Sequence, residues 1–425
     1  ELSFHKLSLN PAEFYQWKKQ DPLLPQLSAD PLATLKKLTI EGFKKRLQEE
    51  LYGYKPTREE LTSIYADRLK HEFKVLGDLG FSDYFLLVHE LIDWCKGQAI
   101  KVGPGRGSVG GSLIAFCLGI TDVDPVRFGL LFERFINPTR LDLPDIDLDF
   151  QTSRRGEIIE HLYDRYGKDN VAGIINYASL QAASALRSTC RILGLPAEEY
   201  TCSKLVPKNF GFSVTLEEAA KEVIDIGAFA KAYPDHWDKA TKLEKKLRNF
   251  STHAAGVIVS SRPLNQDAVV EIRGADQSRI INWDKKICEK QGLIKLDILG
   301  LTTLDIMDLC VKYVRDRHSI DIDFAKIPLD DRRTLDQFAL GNTGGVFQFE
   351  GGSVKKLLKG LAKGGEITFD DLVAANALNR PGPIEAGLVQ AYIDGKNGDL
   401  HEAFHPSIAT IVEPTFNVIC YQEQI

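Results

Sequence analysis

The stretch from Gly103 to Phe150 constrains this chain more than any other. It holds a glycine-rich turn, Gly103-Pro104-Gly105-Arg106-Gly107-Ser108-Val109-Gly110-Gly111-Ser112, and an acidic segment, Pro144-Asp145-Ile146-Asp147-Leu148-Asp149-Phe150. Glycines let the backbone approach a ligand closely, and amides at a helix start attract anions. Arg106 and Ser108 are therefore candidate phosphate contacts. A strand turns successive side chains to opposite faces, so Asp145, Asp147 and Asp149 share one face. Two carboxylates so placed can bridge one or two Mg²⁺ ions, which keep open positions for water and phosphate oxygens. The alternation does not say which two of the three acids bind metal. A row of like charges costs stability unless a cation neutralises it. A phosphate cradle followed by a carboxylate pair points to metal-assisted phosphoryl or nucleotidyl transfer.

Each signal has a plainer reading. A lone glycine cluster is often a tight surface turn, and acids alternating with apolar residues usually mean a half-exposed strand. Gly105-x-Gly107-x-x-Gly110 also matches the dinucleotide fingerprint, so a dinucleotide-dependent oxidoreductase is the rival function. That reading wants a regular βαβ unit with an acid ending the next strand. Asp122 and Asp124 instead sit in a turn, and no Lys-Ser or Lys-Thr makes a Walker loop.

A two-metal site needs a third carboxylate. Asp297 is the best candidate, in Gly292-Leu293-Ile294-Lys295-Leu296-Asp297-Ile298-Leu299-Gly300, where one charged pair interrupts an apolar strand. Lys295 and Asp297 share a face. The alternative is a buried salt bridge, but buried charges are expensive and mark function more often than packing. Arg134 and Arg380 either clamp a triphosphate or serve as ordinary salt-bridge partners. His253 is either a packed histidine or a substrate contact. The basic clusters at Lys242, Lys245, Lys246 and Arg248 and at Lys355, Lys356 and Lys359 read as solvated faces that would also suit duplex phosphates.

At 425 residues the chain exceeds one ordinary core, so two or three domains are expected. The net charge of −6 lowers the odds of a nucleic-acid binder, although acidic metal sites pull that total down and local patches escape it. Seven scattered cysteines argue against zinc and disulfides and fit a reducing cytoplasm. No apolar run approaches the ~20 residues needed to cross a bilayer. The chain starts at Glu1 and stops at Ile425 without a terminal signal, which predicts a piece of something longer.

Along the chain, Asp30-Pro31 predicts a capped helix start. Thr57-x-x-Glu60 predicts a capping box, with Leu61, Ile64, Leu69, Phe73 and Leu76 as the apolar face behind it. Tyr84 to Trp94 predicts a fully buried helix, and Ala99 to Val102 a short strand entering the glycine-rich turn. Ser112 to Leu118, Arg154 to Tyr166 and Ser179 to Leu193 predict helices, and Val171 to Ile175 a strand. A helical stretch with no trusted β pattern then runs to about Phe250. Strands return at Gly256 to Val259, Arg279 to Ile281 and Leu293 to Leu299, and helices dominate from Thr303 onward.

Several motifs together resemble one family, the bacterial DNA polymerase III alpha subunits, the C-family replicative polymerases. They are Gly-Pro-Gly-Arg-Gly-Ser at 103–108, Leu131-Phe132-Glu133-Arg134-Phe135 with Asn137-Pro138, and Pro144 to Phe150. His253-Ala254-Ala255-Gly256, Lys295-Leu296-Asp297 with Leu299-Gly300-Leu301, Gly345-Val346-Phe347-Gln348, Arg380-Pro381-Gly382-Pro383 and Tyr421-Gln422-Glu423-Gln424 follow in the family's order. The resemblance implies an α+β multidomain catalytic core with a palm like that of the β-type nucleotidyltransferases. It divides the chain into the tail of an upstream domain (1–14), palm (15–176), helical thumb (177–252), returning palm (253–303) and the start of helical fingers (304–425).

It further implies Asp145, Asp147 and Asp297 as ligands to two Mg²⁺ ions. Gly107 and Ser108 would hold the incoming deoxynucleoside triphosphate, with Arg134, Lys295 and Arg380 as supporting cations. Lys242, Lys245, Lys246, Arg248 and His253 would face primer–template DNA, whose binding should depend steeply on salt. The family's N-terminal metal-binding domain and its clamp-binding and C-terminal regions lie outside this sequence. A sliding clamp and other replisome subunits would bind through them. Arg187-Ser188-Thr189-Cys190-Arg191 departs from the family stretch at Ser188, where an acid is expected. Such a piece, ending within the fingers, leaves its own activity open, and a catalytically silent DNA-binding relative is a third reading.

Overall fold

Alternation of apolar and polar residues builds the sheet that carries the acidic segment. In the computed structural model, which describes residues 24–48, 50–137, 144–209, 212–274, 277–293, 295–399 and 405–425, eight strands are present. They are β1 (Asp147–Gln151), β2 (Val171–Ser179), β3 (Lys208–Asn209), β4 (Phe212–Ser213), β5 (Leu247–Val259), β6 (Val270–Arg273), β7 (Ser278–Ile281) and β8 (Lys295–Leu301). Six form one mixed sheet in the order β1-β8-β5-β2-β7-β6, and β3 and β4 form a separate antiparallel hairpin. β1 runs parallel to β8 and β2 parallel to β7, while β5 runs antiparallel to β8 and β6 antiparallel to β7.

The chain divides into two compact units, Glu1–Asn176 with Thr252–Pro328, and Tyr177–Ser251 with Leu329–Ile425. In the first unit, one sheet face buries Leu148, Phe150, Val257, Val259, Leu296 and Ile298 against helices that include Pro31–Arg46, Ser82–Gly97 and Arg155–Tyr166. The other face contributes Ala172, Ile174, Ile258 and Ile281 to a smaller cluster with Leu264, Cys288 and Leu293. Asp147 and Asp297 lie on this second face of β1 and β8 and belong to neither apolar cluster. In the second unit, Leu186, Leu216, Ile226 and Phe229 centre one helical cluster. Leu357, Leu358, Leu361, Leu378 and Tyr392 centre another.

Local signals explain many boundaries. Asp30 caps Pro31–Arg46 by accepting from the Ala33 amide, and Thr57 and Glu60 form their capping box. The helix behind that box differs from its periodicity. Leu61–Tyr65 is a π-turn, whose wider ring rotates the face and leaves Ile64 56% exposed while Tyr65 is fully buried. The Tyr65 hydroxyl then donates to Asp124 at 2.6 Å. The expected strand at 99–102 is absent, because Ala99 has φ +56° and Val102 alone bridges to Phe150. β5 begins at Leu247, inside the stretch expected to lack strands, and β6 had no expectation at all. All seven cysteines are free. Among the described residues, no helix is long and apolar enough to cross a membrane.

Candidate active site

The acidic segment and the glycine-rich turn meet at the exposed edge of the sheet. β1 is an edge strand, and the turn docks on its free side. Val102 and Arg106 bridge to Phe150 and Asp147, and the Gly103 amide donates to the Asp149 carbonyl at 2.8 Å. Glycine is needed for this approach: a Cβ on Gly103 would lie 2.9 Å from the Asp149 Cβ. Gly107 has φ +73°, and a Cβ there would lie 3.1 Å from an Asp147 carboxylate oxygen. The next residues form a 3₁₀ turn, Gly107–Gly111, which carries Ser108 half-buried. The dinucleotide reading expected a longer helix opening there. Its two acids are also committed elsewhere, Asp122 to Arg46 at 2.7 Å and Asp124 to Tyr65.

Strand register then brings a third acid in. Asp147 pairs directly with Asp297 across the parallel β1–β8 ladder. Side chains of such a pair point to the same face, so two carboxylates stand side by side, an arrangement that is unfavourable without a cation. Asp145 lies just before β1 rather than inside it. One oxygen from each of Asp145, Asp147 and Asp297 falls within 4.8 Å of the others. Asp149 points toward Arg106 instead, at 3.5 Å.

Cations partly balance this cluster. Lys295, with a side chain only 7% exposed, pairs with Asp297 and lies 3.6 Å from Asp145. Lys285 donates to the other Asp145 oxygen at 3.0 Å. Arg106 lies 4.0 Å from Asp147. Burial alone would raise the Asp145 pKa, but the Lys285 hydrogen bond and the charges of Lys295 and Lys285 together hold it below the usual carboxylate value. Burial, then the charge of Asp145, pushes Asp147 up. Burial also raises Asp297 despite the opposing Lys295. Asp297 keeps one buried carboxylate oxygen, Oδ1, with no hydrogen-bond partner. An orphaned buried oxygen beside two further carboxylates is the donor set a hard divalent cation takes.

The other predicted residues sit on several elements. Arg134 is exposed in the one-turn helix Phe132–Arg134, in the first unit. His253, also in the first unit, folds onto its own strand, its Nδ1 accepting from the Gly256 amide at 2.8 Å. Lys242, Lys245, Lys246 and Arg248 lie exposed in the second unit, with Lys242 paired to Asp238 one turn away. Arg380, also in that unit, is exposed at the start of the helix Pro381–Glu385.

Three residues escaped the sequence reading. Lys285 opens a short helix after the Asp284 cap and reads as a surface lysine. Tyr84 looks like a core aromatic, yet its buried hydroxyl accepts from the amide of Ile146, between Asp145 and Asp147, at 3.3 Å. Glu72 looks like one polar position on an amphipathic helix. It is fully buried and accepts from Ser112 Oγ and from the Leu113 and Ile114 amides at 2.8–3.0 Å. Arg68 joins it at 2.7 Å and donates onward to the Gly111 and Leu130 carbonyls. This pair anchors the end of the glycine-rich turn from beneath.

Comparison with known proteins now decides the family. A family model described as the bacterial DNA polymerase III alpha NTPase domain matches residues 33–300. A second, described as the finger domain of that subunit, matches residues 303–425. The chain belongs to the bacterial DNA polymerase III alpha subunit family. A DNA polymerase III subunit alpha from Yersinia pestis is 47% identical over 412 residues, which cover 96% of this chain and 35% of that protein. The Aquifex aeolicus subunit is 38% identical over 95% of this chain and 36% of its own length. A Staphylococcus aureus subunit is 36% identical over the whole chain and 40% of its own length. The chain thus spans little more than a third of these polymerase subunits. Both matched regions contain motifs singled out above: the acidic triad lies within the first, and Arg380 within the second.

Proposed function

We propose that this chain is the catalytic core portion of a DNA-directed DNA polymerase that extends a primer 3′-hydroxyl on a DNA template, in replication. The observation that carries the proposal is the direct pairing of Asp147 with Asp297 on adjacent strands, with Asp145 beside them and an unpartnered buried oxygen on Asp297. Membership in a family of that name supports it. In this reading the first unit's sheet is the palm, residues 177–252 the thumb and residues 304–425 the start of the fingers.

Asp145, Asp147 and Asp297 would hold two Mg²⁺ ions. Bound there, such ions supply activation of the 3′-hydroxyl and neutralisation of the departing pyrophosphate. The chain's own residues position the reactants. Arg106 and Ser108 receive phosphate oxygens of the deoxynucleoside triphosphate at the turn, where the glycines leave room for them. Arg134 and Arg380 supply further positive charge. Lys295 opposes the upward push of burial on the Asp297 carboxyl. No covalent enzyme intermediate is needed, because phosphoryl transfer of this kind rests on positioning and electrostatics. Lys242, Lys245, Lys246, Arg248 and His253 would hold the DNA backbone without reading sequence, which base pairing does. A sliding clamp and other replisome subunits would engage regions outside this chain.

Primer extension by the full-length protein tests the reading. A single templated deoxynucleotide should be added in Mg²⁺ and none in excess EDTA. Incorporation that survives EDTA, or nicotinamide-cofactor binding without incorporation, would overturn it.

A further inference from the structure

The three cations around the carboxylate cluster are not equivalent. Lys295 is 7% exposed and wedged between Asp145 and Asp297, so moving it would strand a buried charge. Arg106 approaches Asp147 and Asp149 only at 4.0 and 3.5 Å. Lys285 makes a close 3.0 Å bond to Asp145, yet its side chain is 43% exposed. It also has a second acceptor in reach, Glu289, one helical turn on and 3.7 Å away.

Resting on the reading of this cluster as a divalent-metal site, we propose that Lys285 is its exchangeable counter-ion. In the metal-free protein Lys285 neutralises Asp145. When a divalent cation takes that carboxylate, Lys285 shifts to Glu289, an i,i+4 partner already beside it. The ammonium therefore competes with metal, and Glu289 lowers the cost of its release. No bond is made or broken beyond the exchange of one ion pair for another. The arrangement keeps three clustered acids tolerable before metal arrives and adds no barrier of buried charge to its entry.

Mn²⁺ binding to the full-length protein, followed by the electron-spin resonance signal of free ion, tests this without any activity readout. Sites lost in Asp147→Asn define those of the cluster. At these sites Lys285→Met should bind about fivefold more tightly, the scale of a partly exposed ion pair. Glu289→Gln should bind about twofold to threefold more weakly, and that loss should vanish in the Lys285→Met background. Unchanged or weaker binding in Lys285→Met would overturn the proposal. An equal Glu289→Gln effect in both backgrounds would do so too, since it would mark simple through-space attraction. If wild type and Asp147→Asn bind the same number of ions, the metal-site reading itself fails. Both substituted side chains are solvent-accessible, and matching circular dichroism melts confirm that the variants fold.

Discussion

Replacing Asp297 with Asn is expected to lower nucleotide incorporation by the full-length protein on the order of 10³-fold, the loss typical of removing one preorganised electrostatic contact. The substitution keeps the shape of the side chain, and its amide oxygen can still accept from Lys295. What disappears is the negative charge beside Asp147 and the buried oxygen that has no protein partner. The loss should fall on turnover more than on the apparent affinity for primer–template, because Asp297 sits 4% exposed beneath the cluster. Single-turnover incorporation, measured with DNA-binding titrations on the same preparation, separates these effects. Activity within a few fold of wild type would show that Asp297 and Lys295 form only a structural pair.

Glu72→Ala is expected to destabilise the first unit by about 3–5 kcal/mol, the usual cost of removing one member of a buried charge pair. The change leaves Arg68 without its carboxylate and strips partners from Ser112 Oγ and from the Leu113 and Ile114 amides. Glu72→Gln should lose less, since one amide oxygen can still accept from the helix start. Where Glu72→Gln folds, the triphosphate KM should rise, because fewer hydrogen bonds hold the end of Gly107–Gly111. Urea titration followed by tryptophan fluorescence reports the stability term. An unchanged midpoint in Glu72→Ala would mean that water satisfies the freed amides at no cost.

The contrast between these residues shows how far the chain could be read without coordinates. Asp145, Asp147 and Asp297 stood out because acids on apolar strands are locally anomalous, and the glycine spacing signalled a close backbone approach. Their convergence was not local. It depends on the parallel register of β1 with β8, strands separated by about 150 positions in the chain, which no short pattern specifies. Asp149 shared the alternation of its neighbours but lies opposite Arg106, so periodicity could not separate it from the other two. Glu72 was hidden because a buried glutamate and a surface glutamate look the same on a helical wheel. Its role arises from a helix start some 40 residues on. Lys285 was hidden behind an ordinary cap. Ile64 was misassigned because a π-turn breaks the 3.6-residue period that placed it in the core.

The most direct measurement is single-nucleotide primer extension in Mg²⁺ by the full-length protein and its Asp147→Asn variant, at matched DNA occupancy. The expected result is templated incorporation with pyrophosphate release by the first and near-complete loss in the second, with DNA binding retained in both. Equal incorporation by the two proteins would contradict the assignment of nucleotidyl transfer to this carboxylate cluster.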